Sequence, residues 1–324
     1  MTEESLIDAL LERVPHEPLP LGPGDDAAVI EPGPASGRRV ITTDTYVEGV
    51  HFLRAHPPAW LAEKLLVANL ADVSAMGAIP EAFTLSVSLP REAPRDWWLA
   101  FCEGLGSASR AAGVVVAGGD VTASPDPVMF SMTAWGALAG NTHLARSGGE
   151  AGDLVMLMGV PGLSRAGWER WSSGSPSGWG LAPLDTRDPA LLAHLRPRPD
   201  LTAGRWALSE GAHAAMDLSD GLARDGQRLA VASGVDLVVD VDRLPPLPEA
   251  VELDVEGRLA GGEEHEVDLL RARADLAVAR GLAATGVAVQ AGALDALQAP
   301  AIAWLAPRGQ PGADADVDVH GGGE

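Results

Sequence analysis

Lysine is almost missing from this chain: Lys64 is the only one among 23 basic residues, so arginine carries nearly all the positive charge. A Walker A loop needs Lys directly after Gly, and a protein-kinase site needs Lys on a strand. Lys64 follows Glu63 inside a helical pattern, which excludes both lysine-based ATP sites. Cysteine is equally scarce. Cys102 stands alone beside the apolar run Trp97–Phe101, ruling out an intramolecular disulfide and a multi-cysteine metal site and suiting a reducing, cytoplasmic setting. Long hydrophobic runs are absent too: no stretch approaches the roughly 18 apolar residues of a membrane span. The opening MTEESLIDALLERV reads as an acidic amphipathic helix, not a signal peptide. Basic charge as a whole is short, 23 residues against 45 acidic ones, for a net −22 that repels phosphate backbones and anionic lipid. Neither nucleic acid nor a membrane is expected as a partner.

What remains is a globular composition, 46% hydrophobic and 21% charged over 324 residues, enough for about two domains of roughly 150 residues each. Apolar and β-branched runs at 27–31 and 38–46 read as strands flanking a Pro/Gly turn. Pro57-Pro58 opens a helical pattern through Met76, with Leu61, Leu65, Leu66, Leu70 and Val73 at three- and four-residue spacing. Alternating Phe83, Leu85, Val87 and Leu89 predict a strand, residues 95–112 a helix, Val114–Val116 a short buried strand ending at Gly118-Gly119-Asp120, and 128–138 a further strand. From Asp153 the pattern restarts: strand 154–159, helix 163–171, a Ser/Gly/Pro/Trp loop at 172–183, helices at 188–196 and 200–211, strand 213–217, a helix from Ser219 to about Ser233 and strand 235–241. The fold class is therefore α/β, with strands and helices mixed in two units, 1–140 and 141–308. The Gly/Pro/Ala/Asp segment 309–324 is expected to fray.

Several standard sites fail. Gly22-Pro23-Gly24-Asp25-Asp26-Ala27 spells a dinucleotide fingerprint but precedes a strand instead of joining strand to helix. There is no Gly-x-Ser-x-Gly elbow and no His-Glu-x-x-His pair. What recurs is acid beside glycine or hydroxyl at strand ends: Gly24-Asp25-Asp26, Thr42-Thr43-Asp44-Thr45, Gly118-Gly119-Asp120, Asp217-Leu218-Ser219-Asp220-Gly221 and Gly261-Gly262-Glu263-Glu264. Asn69 and Asp72 share a helix face. Taken singly, each pair is ordinarily a turn, an N-cap or a solvated face. Together they suit magnesium, a hard cation that takes carboxylate, hydroxyl and water oxygens and shares them with phosphates.

These motifs, in this order, resemble the thiamine-monophosphate kinase family, within the superfamily that includes aminoimidazole ribonucleotide synthetase. LGPGDDAAVI, ITTDTYVEGVHF, NLADVSAMGA, AGGD, ARSGG, RPRPDLTAG, MDLSDGL and GGEEHE carry the resemblance from about Leu21 to about Glu266. It implies ATP-dependent phosphorylation of thiamine phosphate to thiamine diphosphate by direct in-line transfer. By position, Asp26, Thr42, Thr43, Asp44, Asp72, Asp120, Asp217 and Asp220 match the family's magnesium ligands, and Gly119, Asp120, Arg146 and Ser219 its ATP contacts. His51 and Glu263 match its contacts to thiamine phosphate. Arg146, Asp44 and Asp120 are the catalytic candidates, because transferring a phosphoryl group needs charge neutralisation and alignment more than covalent chemistry. The acceptor phosphate, with a second pKa of about 6, needs no dedicated base. The resemblance also implies two α/β domains, an N-terminal sheet at a homodimer interface, and the nucleotide in a cleft reached by both domains.

Two departures bear on the acceptor. His265 stands where the family usually has Tyr, and the chain ends VDVHGGGE in place of a C-terminal aromatic, leaving Trp304 or His320 as candidates for that role. The alternatives are another ATP-using member of the superfamily with a different acceptor, and a non-catalytic nucleotide- or cation-binding relative.

Overall fold

The structure, a computed structural model, describes residues 28–30, 37–174, 177–181, 184–239, 244, 288–291 and 301–306. In the first half, β1 (Ala28–Ile30), β2 (Arg39–Val47), β3 (Ile79–Pro90), β4 (Val115–Ser124) and β5 (Met129–Ala137) form one sheet in the order β1-β2-β5-β3-β4. All pairings are antiparallel except the parallel β3–β4 edge.

Helix α1 (Pro58–Ala75) starts with Pro in its first turn, where a missing N–H costs nothing. It buries the leucine stripe read from the sequence. Helix α2 (Arg95–Ala112) ends at Gly113 in the left-handed region, with φ of 71°. Trp97, Phe101 and Phe130 stack in the core, with Phe101 and Phe130 ring centroids 4.6 Å apart.

The second half contains β6 (Leu154–Met158), α3 (Leu163–Gly174), α4 (Pro189–Leu195), α5 (Ala203–Ser209), β7 (Ala214–Leu218), α6 (Leu222–Ser233), β8 (Ala288–Ala291) and β9 (Ala301–Ala306). Its sheet runs β7-β9-β6-β8, and every residue of β6 and β7 is buried, as expected for strands covered on both faces. Asp188 caps α4, accepting from the amides of Ala190 and Leu191.

The two halves meet along α1. Ser74 donates to the Leu201 carbonyl at 2.8 Å, His56 Nε2 lies 2.8 Å from the Leu195 carbonyl, and Glu63 pairs with Arg196 and Arg198. Gly204 sits so close to α1 that a Cβ there would lie 1.8 Å from the Ser74 carbonyl oxygen.

Three expectations need correction. Strand β4 does not end at Gly118-Gly119-Asp120 but continues to Ser124. It is not buried, since Val115 and Val116 are 64% and 62% exposed on an edge strand. Of the expected strand 235–241, the described residues 235–239 carry only an isolated bridge at Leu237, and 240 and 241 lie outside the described residues. The amphipathic start and the tail 309–324 lie outside the described residues, and no described helix is long and apolar enough to cross a membrane.

Candidate functional site

Strand β2 is the spine of the site. Successive side chains of a strand alternate between faces, so TTDTY splits into two sets. Thr42, Asp44 and Tyr46 share the face carrying buried Val40, against which α1 packs. Thr42 Oγ1 donates to Asp72 Oδ2 of α1 at 2.8 Å. The phenol of Tyr46 is pushed well above its ordinary value, first by burial and then by the charges of Asp44, Asp72 and Asp217. The charges of carboxylates on β2, on α1 and, from the second half, on β7 thus all act on this phenol. Burial also raises Asp44, only partly offset by the nearby His51. His51 is exposed, stacks on Tyr46 at 5.3 Å between centroids, and accepts a hydrogen bond from the Val47 amide at Nδ1, 3.0 Å. In the neutral ring that bond assigns the proton to Nε2, a donor.

Thr43 and Thr45 lie on the opposite face. Thr43 shares a hydrogen bond with Thr133 at 2.7 Å, and Thr45 donates to Ser131 at 3.3 Å. In register, Thr45, Ser131, Ser86 and Asp120 form one row across the sheet, since cross-strand partners share a face. This hydroxyl ladder ends at exposed Asp120 on β4. Gly119 is where β3 and β4 approach: a Cβ there would stand 2.0 Å from the Leu85 carbonyl oxygen.

The β7–α6 turn supplies Ser219 and Asp220, both exposed. Neither caps α6. The N-cap is Gly221, with φ of 104°, and buried Asp225 reaches back, its Oδ2 accepting from the amides of Ser219 at 3.0 Å and Asp220 at 2.8 Å. Arg228 bonds Asp220 Oδ2 at 2.7 Å and Asp225 Oδ1 at 3.0 Å, and Arg224 stands 3.8 Å from Asp220. Arg146 is half-buried; its carbonyl accepts from Ser233 Oγ at 2.8 Å, while its neighbour Ala145 pairs with the Ala215 amide at the start of β7. Its backbone therefore sits at the opposite end of β7 from Ser219 and Asp220.

Sequence reasoning missed Tyr46, Asp225, Arg228 and the Thr133–Ser131 half of the ladder. Tyr46 had a signal: it is the only tyrosine in the chain, two residues after Asp44. The lone Lys64 is half-buried, its amine lowered to about 8 by burial, and its charge reaches His56 and His194, so it stands apart from the acidic motifs. Asp25, Asp26, Glu263, Glu264 and His265 lie outside the described residues, as does His320. Trp304 belongs to β9, opposite Met156 and Ala215.

The donor set suits a hard cation: Thr42, Asp44 and Asp72 offer hydroxyl and carboxylate oxygens, and the half-buried Asp44 carboxylate is stabilised by added positive charge. The amide oxygen of buried Asn69, one turn before Asp72, has no hydrogen-bond partner. Among the described residues no three His, Cys, Asp or Glu side chains form one metal-binding group. A magnesium ion here would take few protein carboxylates and complete its shell with hydroxyl, water and phosphate oxygens, its usual habit.

Residues 24–138 match the family AIR synthase related protein, N-terminal domain, and residues 150–302 match AIR synthase related protein, C-terminal domain. The thiamine-monophosphate kinase of Mycobacterium tuberculosis is 36% identical over 274 residues, covering 81% of this chain and 78% of the relative. That of Salmonella typhimurium is 36% identical over 297 residues, covering 85% and 86%. Among solved structures, the thiamine-monophosphate kinase of Stenotrophomonas maltophilia superposes with a TM-score of 0.61 at 29% identity, covering 94% of this chain and 84% of that one. AaThiL complexed with AMPPCP and TMP shares the fold with a TM-score of 0.66 at 24% identity, covering 94% and 85%.

Proposed function

The chain belongs to the thiamine-monophosphate kinase family of AIR synthase related proteins, and from that premise we propose that it phosphorylates thiamine phosphate to thiamine diphosphate with ATP. The observation that carries this reading is the Thr42–Asp72 hydrogen bond joining β2 to α1 on the face that also carries Asp44 and Tyr46, with His51 stacked on the Tyr46 ring. Two phosphate groups must meet for the reaction, and their mutual repulsion is the barrier the site must lower. Magnesium, when bound, neutralises phosphate oxygens and holds them in line.

We assign such ions to Thr42, Asp44, Asp72 and Asp217, with Thr43 and Asp120 on the opposite face of the first sheet and Asp26 completing the set. Asp220 joins it only by exchanging its pairing with Arg228. Gly119 keeps β4 close to β3, and with Asp120, Arg146 and Ser219 it is assigned to ATP. His51, with Nε2 as its donor, is assigned to the acceptor phosphate together with Glu263. No lysine approaches the site, so Arg146 and metal supply the positive charge. Residues 1–140 and 141–308 are assigned as the two domains, and two copies are proposed to pair through the exposed β4 edge.

Incubation with ATP, magnesium and thiamine phosphate should yield ADP and thiamine diphosphate in equal amounts. ADP released with another acceptor and none with thiamine phosphate would reassign the substrate; ATP binding without any turnover would make the protein a non-catalytic relative.

A further inference from the structure

His51 stands on the loop 48–55 between β2 and α1, and the inner limb of that loop is held by the first half. The amides of Val50 and His51 donate to the Val47 carbonyl at 3.1 and 2.9 Å, Gly49 donates to the Phe52 carbonyl at 2.8 Å, and the buried Phe52 ring lies 5.7 Å from Phe130. Glu48 is tied to Val128 twice, its amide donating to the Val128 carbonyl at 2.9 Å and its Oε2 accepting from the Val128 amide at 3.0 Å. The outer limb is gripped by the second half. Leu53 and Ala55 join Trp171 and Leu195 in one apolar cluster. Residues 177–181 run across this limb as a strap: the Gly180 amide donates to the Arg54 carbonyl at 2.9 Å, and a Cβ on Gly180 would stand 2.2 Å from the Ala55 carbonyl oxygen, so only glycine lies this close. Trp179, next along the strap, sets its ring under the Arg54 guanidinium, 5.0 Å from the centroid, and meets Trp97 of the first-half core edge-on at 5.2 Å. Arg54 Nε in turn bonds Glu48 Oε1.

We infer that Trp179 is a positioning residue for His51: stacked under Arg54, it fixes the loop to which the acceptor phosphate is assigned. The inference rests on the reading that His51 meets that phosphate. Its action is indirect. A guanidinium is planar, so a ring against its face leaves the edge free to bond a carboxylate, and the two contacts together hold the side chain in one orientation. Without the ring, Arg54 keeps its bond to Glu48 but swings about it, and the outer limb loses the side of Arg54 that the second half grips. His51, three residues before Arg54, then samples positions beside the one stacked on Tyr46, and affinity for the acceptor falls with the fraction of time spent in the competent one. The strap also gives the two halves a common register. Arg146 and Ser219, assigned to ATP, belong to the second half and His51 to the first, so a second-half residue that holds the His51 loop aligns acceptor with donor.

Three variants test this, with ligand and without. In Trp179→Ala the amides of Gly49, Val50 and His51 should exchange with deuterium about tenfold faster while those of β2 and β5 are unchanged. By calorimetry thiamine phosphate should bind about tenfold more weakly, the competent fraction having fallen to about a tenth, while AMPPCP binding stays within about twofold. Trp179→Phe keeps a ring face for the guanidinium and should recover thiamine phosphate binding to within about threefold of the unmodified protein. Gly180→Ala leaves the indole intact but pushes the strap off the Ala55 carbonyl, and should reproduce the Trp179→Ala pattern. With Trp179→Phe it carries the test should Trp179→Ala fail to fold. Unchanged exchange at residues 49–51 in both alanine variants overturns the inference, as does equal weakening of thiamine phosphate and AMPPCP, the mark of a merely structural role. Exchange needs no ligand, so loosening confined to the His51 loop in a protein that makes no thiamine diphosphate would fail the kinase reading and leave the positioning of His51 standing; thiamine diphosphate formed with a KM for thiamine phosphate unmoved by any variant would do the reverse.

Discussion

Thr42 shows how much of the site hangs on single hydroxyls. Its Oγ1 donates to Asp72 across the gap between β2 and α1, and no sequence pattern distinguishes it from Thr43, whose hydroxyl instead faces Thr133 on the other side of the sheet. Thr42→Val leaves Asp72 short of one donor, which should cost about 1–2 kcal/mol of stability by urea denaturation. Because Asp72 then loses its fixed orientation, the magnesium concentration for half-maximal rate should rise about tenfold, a conservative share of one oriented ligand contact. Thr42→Ser should restore both. A Thr42→Val protein with unchanged magnesium dependence would remove Asp72 from the cation site. The acids themselves were legible in the sequence, because carboxylates beside glycine or hydroxyl residues repeat five times, although Asp44 and Asp120 fall within β2 and β4 and not at their ends. Tyr46 was not, since burial among charges from three elements is a tertiary property that a single aromatic letter does not announce.

At the scale of elements, the two helices of the first half and β1 to β7 could be read from periodicity, whereas β8, β9 and the ends of elements could not. Ser219-Asp220 before an apolar-periodic helix looks like a cap, yet the capping runs backward: Asp225, inside the first turn of α6, accepts from both amides and anchors Arg228. A short-range signal and its mirror arrangement have the same composition, so only the folded turn tells them apart. Likewise Val115 and Val116 read as a buried strand because valine runs usually are, but β4 pairs on one side only and leaves them in solvent. Asp225→Ala should therefore unpair two amides and take from Arg228 one of its two carboxylate partners, lowering stability by about 2–4 kcal/mol. AMPPCP affinity measured by calorimetry should fall with it, since the turn carrying Ser219 loses its anchor. Asp225→Asn keeps an acceptor oxygen and sheds a carboxylate that burial already disfavours, so it should retain most of both. Equal losses in the two variants would show that the charge, not the accepted bonds, holds the turn.

Across the whole molecule, the halves are joined by groups that respond to acid. His56 is fully buried against the Leu195 carbonyl, and burial together with the charge of Lys64 lowers its imidazole to about 3; His194, beside it, is lowered for the same reasons. The unfolded chain takes up that proton near the ordinary value of about 6.5 and the folded chain does not, so stability is lost as pH falls from there toward 3. The urea midpoint should drop between pH 7 and pH 4, on the order of several kcal/mol in all, and His56→Gln should flatten that slope while being slightly less stable at pH 7. The other joint of the molecule faces outward. A strand that exposes Val115, Val116 and Val121, each above 60%, and pairs on one side only among the described residues can accept another strand. Evolved monomers blunt such an edge with charge or proline, and β4 carries neither before Asp120. If two copies close this edge against each other, Asp120 and the hydroxyl row behind it are brought out of bulk water, raising the local strength of every charge they meet. Val116→Asp and Val121→Asp should then shift the protein from dimer to monomer in sedimentation at micromolar concentration, and turnover should fall with the dimer fraction; monomers that retain the full rate per chain would make the edge a matter of solubility alone and leave Asp120 to work in open solvent.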